Sequence, residues 1–340
     1  MTTPQGEGAK KARVKRPPVL FDQTQKVSAR IAKHLGRTFL TYWNSHSGSV
    51  CHTDVLGLWT VLRRVGDSDK ATLFIKSDGG TGSASLRIVN LLRQHSGHLV
   101  AAVPLECASA ATMMALGADE IHMGPLAYLT AVDTSIRHDL SPIDRDNDRV
   151  SVSQDELARA VKLWRDSGDG TGKNPYEALF AHVHPLVIGA VDRASSLSIQ
   201  LCTEILGYHM KDRKKAESIS RHLNSAYPSH SYPITLREAQ RIGLHAREID
   251  PDLNAMLLEL NALYSEMGQR AVTDFDERNH HDNEIINIIE GPGVMVYFQV
   301  DKDWHYRVEE RRWVALNEKS GWRITERRRG KMVTDVLHAR

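Results

Sequence analysis

The sequence predicts an α/β protein: a parallel β-α-β core, a helical extension, and a small C-terminal β-rich module. Three observations carry that prediction. Two nearly uninterrupted apolar runs, ATLFI (71–75) and LVAAV (99–103), and a shorter strand-like EIHM (120–123) are separated by stretches of helical spacing. Apolar runs of this kind suit strands covered on both faces, and strands alternating with helices make βαβ units with right-handed crossovers. Helical periodicity then dominates up to about residue 267, while the stretch from 283 onward breaks into short alternating runs separated by GPG, DKD and NEKSG.

Each element has its own reason. DQTQKVSARIAKHLG (22–36) reads as an amphipathic helix closed by Gly36. RTFLTYW is a strand candidate, and CHTDVLGLWTVLRRV has helical spacing. ATLFIKSDGG is a buried strand that runs into a polar glycine turn. SASLRIVNLLRQH follows as a helix, with Leu86, Val89, Leu91 and Leu92 apolar. HLVAAVP is the next buried strand, ECASAATMMALGA a turn and helix, and DEIHMG a third short strand. Residues 138–175 change character: polar HDLSPIDRDNDRVS and glycine-rich DSGDGTGKNP flank a helix in SQDELARAVKLWRDSG. A mostly helical stretch runs from Tyr176 to Tyr208. KDRKKAESISRHLNS, the Thr235-capped PITLREAQRIGL and PDLNAMLLELNALYSEM complete the helical part. The resulting division is a disordered basic arm (1–19), a main domain (20–268), a linker (269–282) and the β-rich module (283–340).

Composition narrows the function. With 41% apolar and 25% charged residues in 340, the chain is an ordinary globular protein. The net charge of +2 favours neither nucleic acid nor an acidic partner, but charge is segregated: Lys10, Lys11, Arg13, Lys15 and Arg16 crowd the first segment. That arm is a candidate for weak nucleic-acid or partner-protein contact. So is the C-terminal module, where Trp304, Tyr306, Trp313 and Trp322 alternate with Arg311, Arg312, Arg323, Arg327, Arg328 and Arg329. The competing reading of that module is a small sheet with aromatics inward and arginines in water. No apolar run reaches about 18 residues, so no membrane span is expected, and no signal-peptide core is visible. Three widely spaced cysteines, Cys51, Cys107 and Cys202, point to a reducing cytoplasm and away from a disulfide framework or zinc site. GDGTGKN (168–174) is one residue too short for a phosphate loop, and Asn174 stands where a magnesium-binding Ser or Thr would be. No cofactor or metal is expected.

The chemistry lies where two strand ends meet. Gly79–Gly80 follows one parallel strand and Ser109 follows the next, and loops at the carboxyl ends of neighbouring parallel strands converge on ligands. Acyl transfer needs a nucleophilic oxygen and amide donors for the developing oxyanion. Ser109 supplies the first. The N–H groups of Gly80 and of Ala110, at a helix start, supply the second. The plainer alternative makes Ser109 a small packing residue and the glycines a turn.

SDGG, VPLECASAAT, MALGADEIHMGPLAYLTAVD and His230-Ser-Tyr-Pro-Ile-Thr235 running to Gly243-Leu244 together resemble the serine dehydrogenase proteinase family. That family has a Clp-protease/crotonase fold and is related to signal peptide peptidase A. The resemblance covers about residues 36–260, and Cys107 departs from it by replacing an alanine. It implies a homo-oligomeric serine peptidase cleaving peptides or unfolded proteins; the missing nucleotide loop points to no ATPase of its own, and the cysteine usage to the cytoplasm. In it Ser109 is the nucleophile, and Gly80 and Ala110 form the oxyanion hole. The base stays open. The Clp-type histidine position falls near Asp133, counted here with the catalytic set. The lysine of short signal peptide peptidases falls at Lys162, in apolar ARAVKLW, where burial could lower its pKa. His122, His138 and His230 are the histidine alternatives. The rival function is a catalytically silent scaffold or regulator of the same fold that acts through its C-terminal module.

Overall fold

The computed structural model describes residues 13–145, 148–166 and 174–338. Residues 168–173 of the stretch already excluded as a phosphate loop, and most of the basic arm, therefore lie outside the described residues. Residues 13–20 run without regular structure, and the Lys15 amide donates to Thr273 Oγ1 at 2.8 Å.

Helix α1 (Phe21–Leu35) ends at Gly36, whose φ of 60° is the left-handed conformation glycine adopts without a Cβ penalty. Then follow β1 (Thr38–Asn44), α2 (Asp54–Val65), β2 (Ser68–Lys76), α3 (Gly82–His95), β3 (Ser96–Val103), the two-residue β4 (Glu106–Cys107), α4 (Ala110–Leu116) and β5 (Glu120–Met123). Short strands β6 (Tyr128–Leu129), β7 (Ser135–Ile136) and β8 (Val152–Ser153) lead to α5 (Gln154–Asp166). The helical stretch expected from Tyr176 to Tyr208 is two helices, α6 (Pro175–Phe180) and α7 (Pro185–Leu206). The division falls at Pro185, which takes the first helical position while His184 Nδ1 accepts from the Leu186 amide. Next come α8 (Arg213–Ser225), α9 (Leu236–Arg241), β9 (Ala246–Glu248) and α10 (Pro251–Met267). Thr235 sits at the N-cap of α9 but makes no side-chain cap bond, unlike Asp250, which caps α10 by accepting from the Leu253 amide. Six strands close the chain: β10 (Ala271–Asp276), β11 (Asn279–Gly291), β12 (Val294–Arg307), β13 (Arg312–Leu316), β14 (Gly321–Arg328) and β15 (Lys331–Leu337).

The protein is mixed α/β with a parallel-strand core. The main sheet runs β15-β14-β12-β11-β1-β2-β3-β5-β9, and β1, β2, β3, β5 and β9 pair in parallel. Alternation along β1 sorts the two cores. Leu40 and Tyr42 face a layer with α2, α3 and α4, while Phe39 and Trp43 face α1 and α10. All of these strand residues are buried, as expected for a sheet covered on both faces.

The C-terminal part differs from the expected linker and separate module. Residues expected as linker form β10 and the start of β11, and β11 lies antiparallel on β1, with Asn44 opposite Asn287 and Thr41 opposite Glu290. Ile289, Val294 and Val296 join one core, and Ile285, Ile288 and Met295 the other. The physical reason is the free edge of β1. An edge strand this apolar needs a partner, and the C-terminal strands provide it. Trp322 is buried, edge-to-face with Phe298 at 5.6 Å, and so belongs to the core rather than to an exposed binding face.

Among the described residues no helix is long and apolar enough to cross a membrane.

Candidate active site

The site stands at the carboxyl ends of β2 and β3. Beyond β2 the chain continues as Ser77–Thr81 and is gripped on both sides. On one side Val50 donates its amide to Gly79 O and accepts the Thr81 amide, each at 2.8 Å. On the other, Ser77 accepts the Ala108 amide at 2.9 Å and donates its own to Glu106 O at 3.1 Å. In a parallel ladder a residue bridged this way turns its own N–H away from the bridging partner. The Gly80 amide therefore points away from Val50, toward the side where residues 107–109 run.

Both glycines are required. Gly79 has φ 106°, and a Cβ on it would lie 2.6 Å from Ser109 Cβ and 3.2 Å from the Ala110 amide nitrogen. Gly80 has φ 147°, and its Cβ would strike Val50 O at 2.4 Å. Only a bare backbone lets the turn approach the serine this closely.

Ser109 sits between β4 and α4 with φ 53° and ψ −117°. This is a sparsely populated conformation for a residue with a side chain, of the kind that lifts a nucleophile out of a strand-to-helix turn. Two threonines hold the turn in place. Thr130 Oγ1 accepts the Ser109 amide at 2.8 Å. Thr112 Oγ1 donates to Cys107 O and accepts the Thr130 amide at 3.1 Å. Ala110 begins α4, so its amide is among those left without an intrahelical acceptor. Cys107 is fully buried, and burial pushes its thiol far up from its ordinary value, so no thiolate forms beside the serine.

A cleft of about 360 Å³ opens here, lined by Gly80, Ser109, Ala110, Met113, Asp133 and His230 among others. His230 stands on the turn Ser229–Tyr232, where the Tyr232 amide returns to Ser229 O at 3.0 Å. This turn is tied to the core by the paired bonds between Leu129 and Ile234. His230 Nδ1 meets Asp133 Oδ1 at 2.7 Å. The Asp133 hydrogen bond raises the histidine pKa above its usual 6.5, with partial burial opposing.

Of the residues singled out in the sequence, Ser109, Gly80, Ala110 and Asp133 share this cleft, and of the alternative bases His230 joins them. Lys162 does not. It is exposed on α5, whose buried side is made by Leu157 and Val161, and it is absent from the cleft lining. His122 pairs with Glu120 on β5 at 2.8 Å, and His138 accepts the Leu140 amide, both away from the cleft lining. Thr112 and Thr130 were not singled out from sequence. The signal available was the pattern S-A-A-T, which puts a hydroxyl three residues into the helix after the serine. A larger groove of about 750 Å³ lies among α2, α3 and α7, but its lining, including Arg87, Glu204 and Tyr208, offers no serine or thiol nucleophile. Among the described residues no group of three or more His, Cys, Asp or Glu side chains is arranged to hold a metal ion.

No family model matches the chain. Two uncharacterised proteins of Methanocaldococcus jannaschii are similar to it, one 25% identical over 204 residues and one 26% identical over 195. The alignments take in 60% and 56% of this chain and 62% and 56% of those proteins, so the chain spans about three fifths of the length of these relatives. Solved structures similar to it include a serine-to-alanine variant of the 1510-N membrane-bound stomatin-specific protease, at TM-score 0.38 and 12% identity, covering 66% of this chain and 83% of that one. A variant of ClpP1 from Listeria monocytogenes matches at TM-score 0.34 and 12% identity, covering 69% and 99%.

Proposed function

We propose that this chain is a serine peptidase in which Ser109 is the nucleophile and His230 the general base. In this reading Asp133 orients the histidine, and the amides of Gly80 and Ala110 form the oxyanion hole. The supporting observation is one cleft that gathers a serine on a strained turn, a histidine held by a carboxylate at 2.7 Å, the Gly80 amide and the helix-start amide of Ala110.

With Nδ1–H given to Asp133, Nε2 carries the lone pair that takes the Ser109 proton as Oγ attacks the scissile carbonyl carbon. The negative charge that develops on the carbonyl oxygen meets the two amides. Collapse of the intermediate breaks the C–N bond, and the departing amine takes the proton from His230. Water, deprotonated by the same imidazole, then attacks the acyl-enzyme and frees Ser109. Lys162 has no part in this scheme. Substrates are peptides or unfolded segments that can enter the cleft, no nucleotide is consumed by the chain, and the chain acts as a homo-oligomer, which sedimentation velocity tests.

The deciding experiment is labelling with a fluorophosphonate probe. The expected result is label at Ser109 in the wild type and in Lys162→Ala, lost in Ser109→Ala and slowed at least about 100-fold in His230→Ala. A folded protein that takes no label would replace this reading with that of a non-catalytic scaffold. Equal labelling of His230→Ala with loss in Lys162→Ala would transfer the base to the lysine.

A further inference from the structure

The turn that carries Gly80 hangs on Val50, and Val50 is itself held from below. Asp54, fully buried at the start of α2, accepts the Cys51 amide at 2.7 Å and the Asn287 Nδ2 donor at 2.9 Å, together with the Tyr42 hydroxyl and the Cys51 thiol. Asn287 Nδ2 also donates to Ser49 O at 2.9 Å. Both atoms it meets are acceptors, which fixes the orientation of the amide. Residues 49 and 51 are thus pinned on either side of Val50, whose N–H and C=O hold Gly79 and Thr81.

Strand β11 is shaped to make this contact. Its register with β12 slips between Ile285 and Asn287, leaving Ile286 as a bulge whose carbonyl accepts the Ser45 amide at 2.9 Å. Gly48 approaches that carbonyl so closely that a Cβ on it would lie 2.1 Å away. Bulges re-aim side chains, and this one delivers Asn287 to the loop. The buried carboxylate is not needed to fill space: burial works against it and pushes its pKa up, while its donors pull the other way.

We infer that Asp54 and Asn287, aimed by the bulge at Ile286, are positioning residues that set the Gly80 amide through Val50. The catalytic consequence rests on the peptidase reading. The mechanical consequence rests on the hydrogen bonds alone. If the inference holds, loosening the cluster weakens oxyanion stabilisation by the Gly80 amide while leaving Ser109 and His230 in place.

The test uses Asn287→Ala and Tyr42→Phe, which keep the carboxylate, alongside Asp54→Asn, which risks misfolding. Glu290→Gln, on the same strand but buried against α1 and α10, is the control. Two quantities are read: amide hydrogen exchange at Val50 and Thr81, and the rate constant for fluorophosphonate labelling of Ser109. Asn287→Ala is expected to speed exchange at both amides at least about 10-fold and to slow labelling by a similar factor, with neither changed in Glu290→Gln. Unchanged exchange in Asn287→Ala overturns the inference outright. Faster exchange with unchanged labelling overturns its catalytic half. If the wild type takes no label, the peptidase reading falls while the exchange result still decides whether the cluster positions Gly80.

Discussion

At the scale of single residues, the contact between His230 and Asp133 sets the pH response expected of the proposed peptidase. The carboxylate stabilises the imidazolium, so the histidine pKa lies above 6.5 in the folded protein. In the proposed peptidase His230 works as a base only when neutral, so labelling of Ser109 is expected to slow as pH drops through that raised value. Asp133→Asn removes the stabilising charge. The acid limb of the labelling-rate profile then moves to lower pH, while the plateau falls because the imidazole loses its orientation. An acid limb that stays in place would mean another group controls it. For stability the sign is opposite: a raised histidine contributes below the unfolded value and loses that contribution as pH rises through the folded one. The contribution is small, because the His230 side chain is about half exposed at 49%. Sequence made each partner visible alone, His230 in SHSYPIT and Asp133 in TAVD. Their pairing across 97 positions was not legible, because it depends on how the Leu129–Ile234 contact places two loops. Lys162 shows the converse. Its spacing after the serine and its apolar neighbours suggested burial, but the phase of α5 turns Val161 inward and the lysine out.

At the scale of elements, the α1–α10 layer has its own titrating group. Glu290 on β11 is fully buried, accepting from Thr24 Oγ1 at 2.8 Å, Tyr264 Oη at 2.7 Å and Gln25 Nε2. Burial raises its carboxyl to about 7. A carboxyl raised in the folded state holds its proton more tightly there than in the unfolded chain. Stability therefore declines as pH rises from about 4.5 to about 7 and levels off above. Thermal unfolding of Glu290→Gln is expected to lose that decline, and an unchanged slope would assign it elsewhere. The strands and helices of the parallel core were legible because their signals are local. Buried runs such as LFI and LVAAV need both faces covered, and Gly36 marks its helix end by its own backbone. The bulge in β11 was not legible. IINIIE interrupts alternation, but nothing in those six residues says that Ser45 and Gly48 lie beneath it.

At the scale of the whole molecule, the C-terminal strands are part of the main sheet. A chain ending after Gly268 would leave β1 without β11 and uncover Ile288 and Ile289 contacts on both cores. Such a truncation is expected to be insoluble or to show no cooperative unfolding, whereas one ending after Arg329, which removes only the largely exposed edge strand β15, keeps a cooperative transition. A soluble, cooperatively unfolding 1–268 fragment would restore the separate-module picture. That picture came from reading period-two runs as self-sufficient. The partner that completes them, β1, lies about 240 positions earlier, and pairing at that distance leaves no local trace.

This long-range pairing has a consequence during synthesis. The ribosome releases β1, the serine turn and the histidine loop well before β11 emerges. Until then the newborn chain exposes an apolar strand edge that any chaperone or neighbouring nascent chain can engage. Completion of the sheet by β11 is therefore a late step of vectorial folding, and premature termination before β11 yields a chain with an uncapped sheet edge, a substrate for quality control.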